Sequence, residues 1–404
     1  MDLKSEYPFW LVKNGLLYPY SSLQSDEKCD VAIIGAGITG ALCAYYLTNS
    51  GFKVVVVEKR HVGMGSTSAS TALLQYEIDT PLKQLLKKVG HQHACMAYQS
   101  GIGAINELKA IAAKLPIDCG FKKKESVLLA STHKDAEELF EECTLRNAAG
   151  IDVVLLNDKE TKKRTGINAP ASLLSKVAAS ADAYRLCHGL LQQAIKNKCR
   201  VYDTTEIKGI VENAKNATLT TKNGKNIHCS TFIFANGYES QLYLKNKCAQ
   251  LHSTYAMVSK TIDKKKLAGI NYLLWETADP YCYLRTTDDN RIIIGGKDET
   301  FYSPGKRDKL IKTKSLQLLK SFDKWFPHID FQIDFSWAGT FAVTKDGLPF
   351  IGNNKEYRHA LFALGFGGNG ITFSQIAARV LTDKLTGTPN DLEKVFSFNR
   401  TNFV

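Results

Sequence analysis

Three glycines near the start of the chain have the spacing that a dinucleotide requires. Gly35, Gly37 and Gly40 follow the apolar run 31–34, and Glu58 ends a second apolar run, at the roughly 20-residue distance typical of such units. In this arrangement the first glycine permits a tight turn, the second admits the pyrophosphate, and the third lets the helix approach the sheet. The helix N-terminus offers unpaired N–H groups, and the carboxylate can accept hydrogen bonds from ribose hydroxyls. The pattern predicts an FAD or NAD site, whereas a purely structural βαβ unit would leave the three glycines unexplained.

A second glycine turn lies near the other end of the chain. The apolar run 361–364 leads into Gly365-Phe-Gly-Gly-Asn-Gly370 and then into a helical pattern. A helix N-terminus here could direct its positive end at a ring that becomes anionic, as a reduced flavin does near N1 and O2. A nicotinamide has no such requirement. The second turn therefore favours FAD over NAD and implies a cofactor domain built from discontinuous segments.

A stretch of small and hydroxylic residues follows the second apolar run. It reads Gly63-Met-Gly-Ser-Thr-Ser-Ala-Ser-Thr71. Such a backbone can approach a planar ring closely, and its hydroxyls can hydrogen-bond to one. The same composition occurs in ordinary loops, so the stretch supports a cofactor site only together with the two glycine turns.

The elements that must position these turns can be read from periodicity and turn residues. Asp182 is a predicted helix N-cap, and Asn223-Gly224 predicts a hairpin turn. Helices are predicted at 82–89, 137–149, 182–195 and 309–326, and a last helix follows the second glycine turn and ends near residue 385. Strands are predicted at 126–130, 201–211, 217–221, 226–228, 231–237, 253–261, 281–285 and 291–296.

Composition bounds the class of protein. The 404 residues exceed one ordinary core, so two domains are expected. The net charge is +12, but the lysines are spread along the chain without interleaved aromatics, so nucleic-acid binding is not expected. The ten cysteines form no CxxC pair, which predicts a reducing, cytoplasmic setting and no zinc or iron–sulfur site. His91 and His93 alone do not predict a metal site, and no apolar run is long enough to insert stably in a membrane.

With these motifs assembled, the chain resembles the FAD-dependent D-amino-acid oxidase superfamily, which includes glycine, sarcosine and gamma-glutamylputrescine oxidases. The resemblance covers nearly the whole chain. It rests on the first glycine turn with Glu58, Gly65-Ser-Thr-Ser68, Ala235-Asn-Gly237, Trp337 to Gly352 with its Asp346-Gly-Leu-Pro element, and Gly365 to Thr372.

The resemblance implies an α/β fold with a discontinuous Rossmann-like FAD-binding domain of the GR2 type and a second, β-rich α+β substrate domain. The expected FAD-binding segments are 1–80, 150–238 and 336–404, and the expected substrate-binding segments are 81–149 and 239–335. The expected cofactor-binding residues are Gly35, Gly37, Ile38, Thr39, Gly40, Glu58, Lys59, Gly65, Ser66, Thr67, Ser68, Ile207, Ala235, Gly237, Gly367, Gly368, Asn369, Gly370, Ile371 and Thr372.

The resemblance also implies oxidation of the CH–NH bond of a primary or secondary amine, by hydride transfer to flavin N5. Oxygen or another acceptor would reoxidise the flavin. Alternatives are a dehydrogenase with a quinone-type acceptor, an RNA-modifying flavoprotein, and a flavin-binding structural protein without turnover. No counterpart of the oxygen-activating lysine of sarcosine oxidase can be placed, because Lys297 does not align cleanly.

Two departures from the family pattern affect the expected site. Phe341 stands where glycine and D-amino-acid oxidases carry a carboxylate-binding arginine, so a simple α-amino acid is not the expected substrate. The two family positions for covalent flavin attachment read Ser68-Ala-Ser70 and Ala342-Val-Thr344, so the FAD should be non-covalent.

No single residue is predicted to be catalytic, because hydride transfer requires mainly orientation and desolvation. Tyr281, Tyr283 and Arg285 alternate on a predicted strand and so share a face, which could line the substrate pocket or form a core stripe. Further candidates for the pocket are Tyr255, Trp337 and Phe341.

Overall fold

The structure is a computed structural model that describes residues 1–5 and 7–400. Its strands are β1 (Glu27–Ile34), β2 (Val54–Val57), β3 (Leu73–Gln75), β4 (Lys122–Leu129), β5 (Val153–Asn157), β6 (Ala171–Ser180), β7 (Arg200–Tyr202), β8 (Ile207–Glu212), β9 (Ala217–Thr221), β10 (Asn226–Phe234), β11 (Gln250–Ser259), β12 (Tyr272–Glu276), β13 (Cys282–Thr286), β14 (Ile292–Glu299), β15 (Ile333–Val343), β16 (Phe350–Asn353) and β17 (Ala360–Leu364). Its helices are α1 (Phe9–Asn14), α2 (Ile38–Asn49), α3 (Ser66–Ala69), α4 (Leu82–Val89), α5 (His91–Ala112), α6 (His133–Ala148), α7 (Asp158–Thr165), α8 (Ala183–Lys196), α9 (Pro304–Lys309), α10 (Ile311–Trp325), α11 (Gly370–Thr386) and α12 (Leu392–Val395), with a 3₁₀ helix at Gly237–Tyr243.

The first sheet carries both glycine turns. Its strands are ordered β16-β17-β10-β1-β2-β7, and β9 and β8 extend it from β10. The contacts of β1 with β10 and β2, and of β10 with β17, are parallel. All four residues of β2 are buried, as is usual when helices cover both faces of a parallel sheet. Helix α2 packs against α8 and α11, so the two helices that follow the glycine turns lie side by side.

The second sheet lies opposite the glycine turns, and its strand pairs are mixed but mainly antiparallel. Its order is β15-β11-β14-β13-β12-β4-β6-β3, with β5 paired to β6. Helix α10 covers β11, β14 and β15, and buries Leu318 and Phe322 against residues such as Met257. The predicted α/β fold, with a Rossmann-like unit and a β-rich partner, is confirmed.

Several elements match their predictions closely. Asp182 caps α8 by accepting hydrogen bonds from the N–H groups of Tyr184 and Arg185, both 3.0 Å away. The Asn223-Gly224 pair joins β9 to β10, and Gly224 has a φ of 76°. The helix predicted at 309–326 is α10.

Other boundaries differ from the predictions. The predicted strand 201–211 is wrong, because β7 and β8 are separated by a turn in which Thr204 has a left-handed φ of 43°. The predicted strands 226–228 and 231–237 form one strand, β10, which ends at Phe234.

The segments expected for the FAD-binding domain include strands of the second sheet. Strands β3 and β5 pair with β6, and β6 forms an antiparallel ladder with β4. Most of β15 also belongs to these segments, and β15 pairs with β11 of the second sheet. Conversely α5, expected in the substrate domain, packs on α11. The last four residues of the expected segment 336–404 lie outside the described residues.

No helix in the described part of the chain is long and apolar enough to cross a membrane. Among residues 1–5 and 7–400, no group of three or more His, Cys, Asp or Glu side chains is arranged to hold a metal ion.

Candidate active site

The first glycine turn is fixed by backbone packing. Gly35 has a φ of +110°, and a Cβ atom there would lie 2.7 Å from the carbonyl oxygen of Ala235. A Cβ atom on Gly40 would lie 1.8 Å from the carbonyl oxygen of Gly35. Both positions therefore require glycine. Helix α2 starts directly after Gly37, which has no side chain to form an N-cap bond. The Thr67 hydroxyl accepts the Ile38 N–H, and the rest of the first turn offers N–H groups to an anion.

Glu58 is held at this turn from both sides. Its Oε2 accepts a hydrogen bond from the Ala36 N–H at 2.9 Å, and its Oε1 accepts one from the Arg60 N–H at 2.9 Å. These bonds place the carboxylate at the carboxyl end of β2, beside the start of α2. The position is the one expected for a ribose-binding acid.

The second glycine turn is held by side chains from a distant segment. Asn369 precedes α11 but does not cap it, because its Nδ2 donates to the carbonyl oxygen of Glu77. The Gly368 N–H donates to Oδ2 of Asp79 at 2.8 Å. The start of α11 is thus a second uncapped helix N-terminus.

The small-residue loop lies between the two turns, and three donors hold its backbone. The Nε1 of Trp337 donates to the Ala69 oxygen at 2.9 Å, and that of Trp10 to the Ser70 oxygen at 2.6 Å. Nη1 of Arg285 donates to the Ala72 oxygen at 2.8 Å. Within the same loop, the Thr67 hydroxyl accepts the Ile38 N–H at 2.9 Å.

A cavity of about 460 Å³ connects both turns, the loop and the second sheet. The expected cofactor residues that line it are Gly35, Gly37, Ile38, Thr39, Glu58, Lys59, Gly65, Ser66, Thr67, Ile207, Ala235, Gly237, Gly367, Gly368, Asn369, Gly370 and Ile371.

Three expected cofactor residues do not line the cavity. Gly40 contacts the Gly35 backbone instead, which is the packing role that its position in the motif predicts. The hydroxyl of Ser68 donates to the Gly65 oxygen, and that of Thr372 donates to the Gln75 oxygen. Both hydroxyls therefore hold the walls of the cavity in place.

The cavity wall has the chemistry that FAD requires. Two uncapped helix N-termini meet there, one suited to a pyrophosphate and one to the anionic side of a reduced flavin. The buried hydroxyl of Ser66 has no hydrogen-bond partner, so a ligand donor or acceptor would satisfy it. No histidine or cysteine is among the described residues that line the cavity, and non-covalent binding remains a prediction.

The structure separates the six predicted substrate-pocket residues into two groups. Tyr281, Tyr283 and Phe341 line the cavity. Burial raises the pKa of both tyrosines, which keeps their hydroxyls neutral. The ring of Phe341 packs edge-on against His252.

The other three residues do not line the cavity. Tyr255 points into the core beneath α10, because its neighbour Thr254 takes the cavity face of β11. Trp337 is buried in another core cluster. Arg285 is fully buried, where it donates to the oxygens of Ala72 and Ala181. These placements favour the alternative that all three residues belong to the core over the one that they line the substrate pocket.

Sequence reasoning missed three carboxylates on the cavity wall: Glu77, Asp79 and Asp298. Burial raises the pKa of Glu77 and Asp79 above the ordinary carboxyl range. Burial, reinforced by the charge of Asp79, raises the pKa of Asp298 to about 7.

Two of these acids follow a pattern that was open to sequence reasoning. Odd-numbered residues from 73 to 79 line the cavity, whereas Leu74, Tyr76 and Ile78 are buried in the core. This alternation predicts a half-buried extended segment with Glu77 and Asp79 on its ligand face. Asp298 has no such signal, because neighbouring charged residues on β14 obscure its direction.

A family model of FAD-dependent oxidoreductases, named DAO, matches residues 30–384. The chain belongs to this family. It is therefore an oxidoreductase with FAD as its cofactor.

Individual relatives of the DAO family match along most of the chain. YhfW of Bacillus subtilis (strain 168), provisionally named a Rieske 2Fe-2S iron–sulfur protein, is 27% identical over 391 residues, which are 94% of this chain and 73% of that protein. The gamma-glutamylputrescine oxidoreductase of Escherichia coli (strain K12) is 23% identical over 94% of this chain and 88% of its own length. The crystal structure of glycine oxidase from Geobacillus kaustophilus superposes with a TM-score of 0.76 at 21% identity, covering 93% of this chain and 99% of that one.

Proposed function

We propose that this protein oxidises the CH–NH bond of a primary or secondary amine, an amino-acid derivative or a polyamine-like compound. Bound FAD supplies the two-electron acceptor at its N5 atom. The α-carbon of the substrate gives up a hydride, the lone pair of its nitrogen forms the C=N bond, and water hydrolyses the imine to a carbonyl compound and an amine or ammonia. Oxygen or another acceptor then takes the two electrons.

One observation carries this proposal: the FAD-type cradle and a wall of aromatic and carboxylate side chains share one cavity. Tyr281, Tyr283, Phe341 and Trp275 provide flat apolar surface against which an alkyl amine can pack. The relatives whose names include glycine oxidase and gamma-glutamylputrescine oxidoreductase support amine-type substrates.

The chain's own residues would orient the substrate and exclude water. The aromatic wall desolvates the reacting carbon, which favours transfer within a fixed geometry. Carboxylates near the cavity stabilise a cationic amine before it reacts. Because hydride transfer needs no strong acid or base from the protein, the wall contributes mainly placement and charge.

Anaerobic addition of amines to the purified flavoprotein tests the proposal. We expect a substrate amine to bleach the visible absorbance of the flavin, and air or an artificial quinone to restore it. The rate of recovery with each acceptor distinguishes an oxidase from a dehydrogenase. If polyamines, N-methyl amino acids and D-amino acids all leave the flavin oxidised, while dithionite still bleaches it, the proposal is wrong.

A further inference from the structure

The substrate end of the cavity is lined by three carboxyl groups. Asp298 reaches it from β14 of the second sheet, and Asp79 reaches it beside the glycine turn before α11. Glu77 lies on the same extended segment as Asp79, two residues earlier, with 4% of its surface exposed. The three acids therefore come from two segments far apart in sequence but border one space.

Two of these carboxylates have an oxygen without a partner. Oε2 of Glu77 and Oδ1 of Asp298 are buried and make no hydrogen bond. An unsatisfied buried carboxylate oxygen is costly, and a ligand that donates hydrogen bonds would remove that cost. A ligand with ammonium groups fits this requirement, and a ligand carboxylate does not.

Arg146 and Lys314 lie behind this end of the cavity, and their charges lower the pKa of Glu77 and of Asp298 respectively, against the larger effect of burial. The lysine and arginine among the described lining residues are Lys59 and Arg60, which lie at the Glu58 end and pair with Glu239. Behind the wall, Lys314 pairs with Glu299. Arg285, a candidate for the pocket from its place on the strand, donates to backbone oxygens elsewhere.

Aromatic faces complete this part of the wall. Tyr281, Tyr283, Trp275 and Phe341 line the cavity together with Asp298. The rings of Tyr281 and Tyr283 have centroids 5.8 Å apart. Aromatic faces attract ammonium groups and also pack against the methylene chain between them.

We infer that the substrate of the proposed amine oxidation is a diamine or polyamine without a carboxylate, and that Asp298 and Asp79 bind the ammonium group that is not oxidised. This inference rests on the proposed function and goes beyond it by assigning the charge of the substrate. One nitrogen loses its proton to solvent and donates its lone pair as the α-hydride leaves. The second nitrogen stays protonated beside the carboxylates and holds the chain in place.

The experiment compares two amines of equal chain length, one ending in a second ammonium group and one ending in a methyl group. Asp298→Asn keeps the size of the side chain and removes its charge. We expect this change to raise the Michaelis constant for the diamine about tenfold to a hundredfold, since a charge-assisted hydrogen bond is lost. The constant for the methyl-ended amine should stay within about twofold, a change of roughly 0.4 kcal/mol. The matched control is Glu137→Gln, which removes the same charge from an exposed position on α6.

A binding measurement separates this inference from the proposed function. A bis-quaternary ammonium compound has no nitrogen lone pair and cannot be oxidised, so its binding is read from the perturbed flavin spectrum. We expect it to bind the unchanged protein and to bind Asp298→Asn about tenfold or more weakly, because the charge attraction between a quaternary ammonium group and the carboxylate is lost. Flavin content and the melting temperature of each variant report whether it has folded.

The outcomes differ for the two claims. If amines bleach the flavin but Asp298→Asn affects both amines equally, the diamine assignment is wrong and amine oxidation still stands. The same conclusion follows if carboxylate-bearing amines are the preferred substrates. An absence of bleaching by every amine overturns the proposed function. If the bis-quaternary compound perturbs the flavin spectrum and this binding depends on Asp298, a dication site is still supported. If no such binding is seen, the dication site is overturned.

Discussion

The two glycine turns have the same local plan but are held in different ways. At the first, backbone packs on backbone: Gly40 against Gly35 within the βαβ unit, and Gly35 against Ala235 after β10. At the second, a carboxyl group 289 residues away holds the Gly368 N–H. The first turn is therefore held by rigid backbone contacts. The second places a titratable side chain at the start of α11, beside the substrate end of the cavity.

The largest expected effect comes from Gly40→Ala. Its Cβ atom would lie 1.8 Å from the Gly35 oxygen, whereas a Cβ atom on Gly370 meets no atom within 4 Å. We expect Gly40→Ala to abolish folded, flavin-containing protein and Gly370→Ala to preserve the fold. Soluble yield, flavin content and melting temperature provide the measurement. Equal tolerance at both positions would mean that the two turns do not differ in rigidity.

A smaller effect is expected at the ribose-binding acid. Glu58→Ala should weaken FAD binding by about 1–3 kcal/mol, because ribose hydroxyls lose a charged acceptor. The flavin dissociation constant of the stripped and reloaded protein measures this change. Glu58→Gln, which keeps an amide oxygen, should lose less. An unchanged constant in Glu58→Ala would remove Glu58 from the ribose site.

At the second turn we expect an effect on the redox potential. Asp79→Asn removes a negative charge and leaves an amide oxygen that can accept the Gly368 N–H. Reduced flavin carries additional negative charge, so the midpoint potential should rise by about 20 mV, or roughly 1 kcal/mol for two electrons. Redox titrations over a range of pH values measure this shift, which requires Asp79 to be ionised. An unchanged potential at every pH would place Asp79 outside the field of the flavin.

The smallest expected effect is a pH dependence. The groups that influence Asp298 are Thr254, Asp79, Asp279, Lys314 and the two cavity tyrosines, and burial with the neighbouring acids raises its pKa to about 7. Because this pKa is raised, Asp298 is protonated below it and charged above it. Affinity for the bis-quaternary compound, which does not titrate, should therefore increase several-fold as the pH rises through 7. Asp298→Asn should flatten that profile, and a profile that persists in this variant would assign it to other groups.

The contrast between the turns also explains what could be predicted from sequence. Gly35, Gly37, Gly40 and Glu58 lie within one local unit whose spacing determines its geometry, so both the fold and the cofactor cradle were predictable. Tyr281 and Tyr283 were placed correctly, because strand alternation fixes which residues share a face.

The same alternation failed for Arg285. It lies on the predicted strand, but a guanidinium can be drawn into the core where backbone oxygens accept its donors. Asp298 reaches the cavity only through the pairing of distant segments, which one sequence does not reveal. The cofactor cradle could be predicted because its residues are close in sequence. The substrate wall could not, because it forms only when the strands of the second sheet pair.

The three donors that hold the small-residue loop bear on how the flavoprotein assembles. Trp10 comes from the N-terminal segment, Arg285 from β13 and Trp337 from β15, and each binds a carbonyl oxygen within residues 69–72. A nascent chain that has made only its first βαβ unit therefore has a pyrophosphate turn but no ordered loop beside it. Ribosomal synthesis must therefore pass Trp337 before this loop is complete, so stable cofactor loading belongs to a late stage of chain synthesis or follows it.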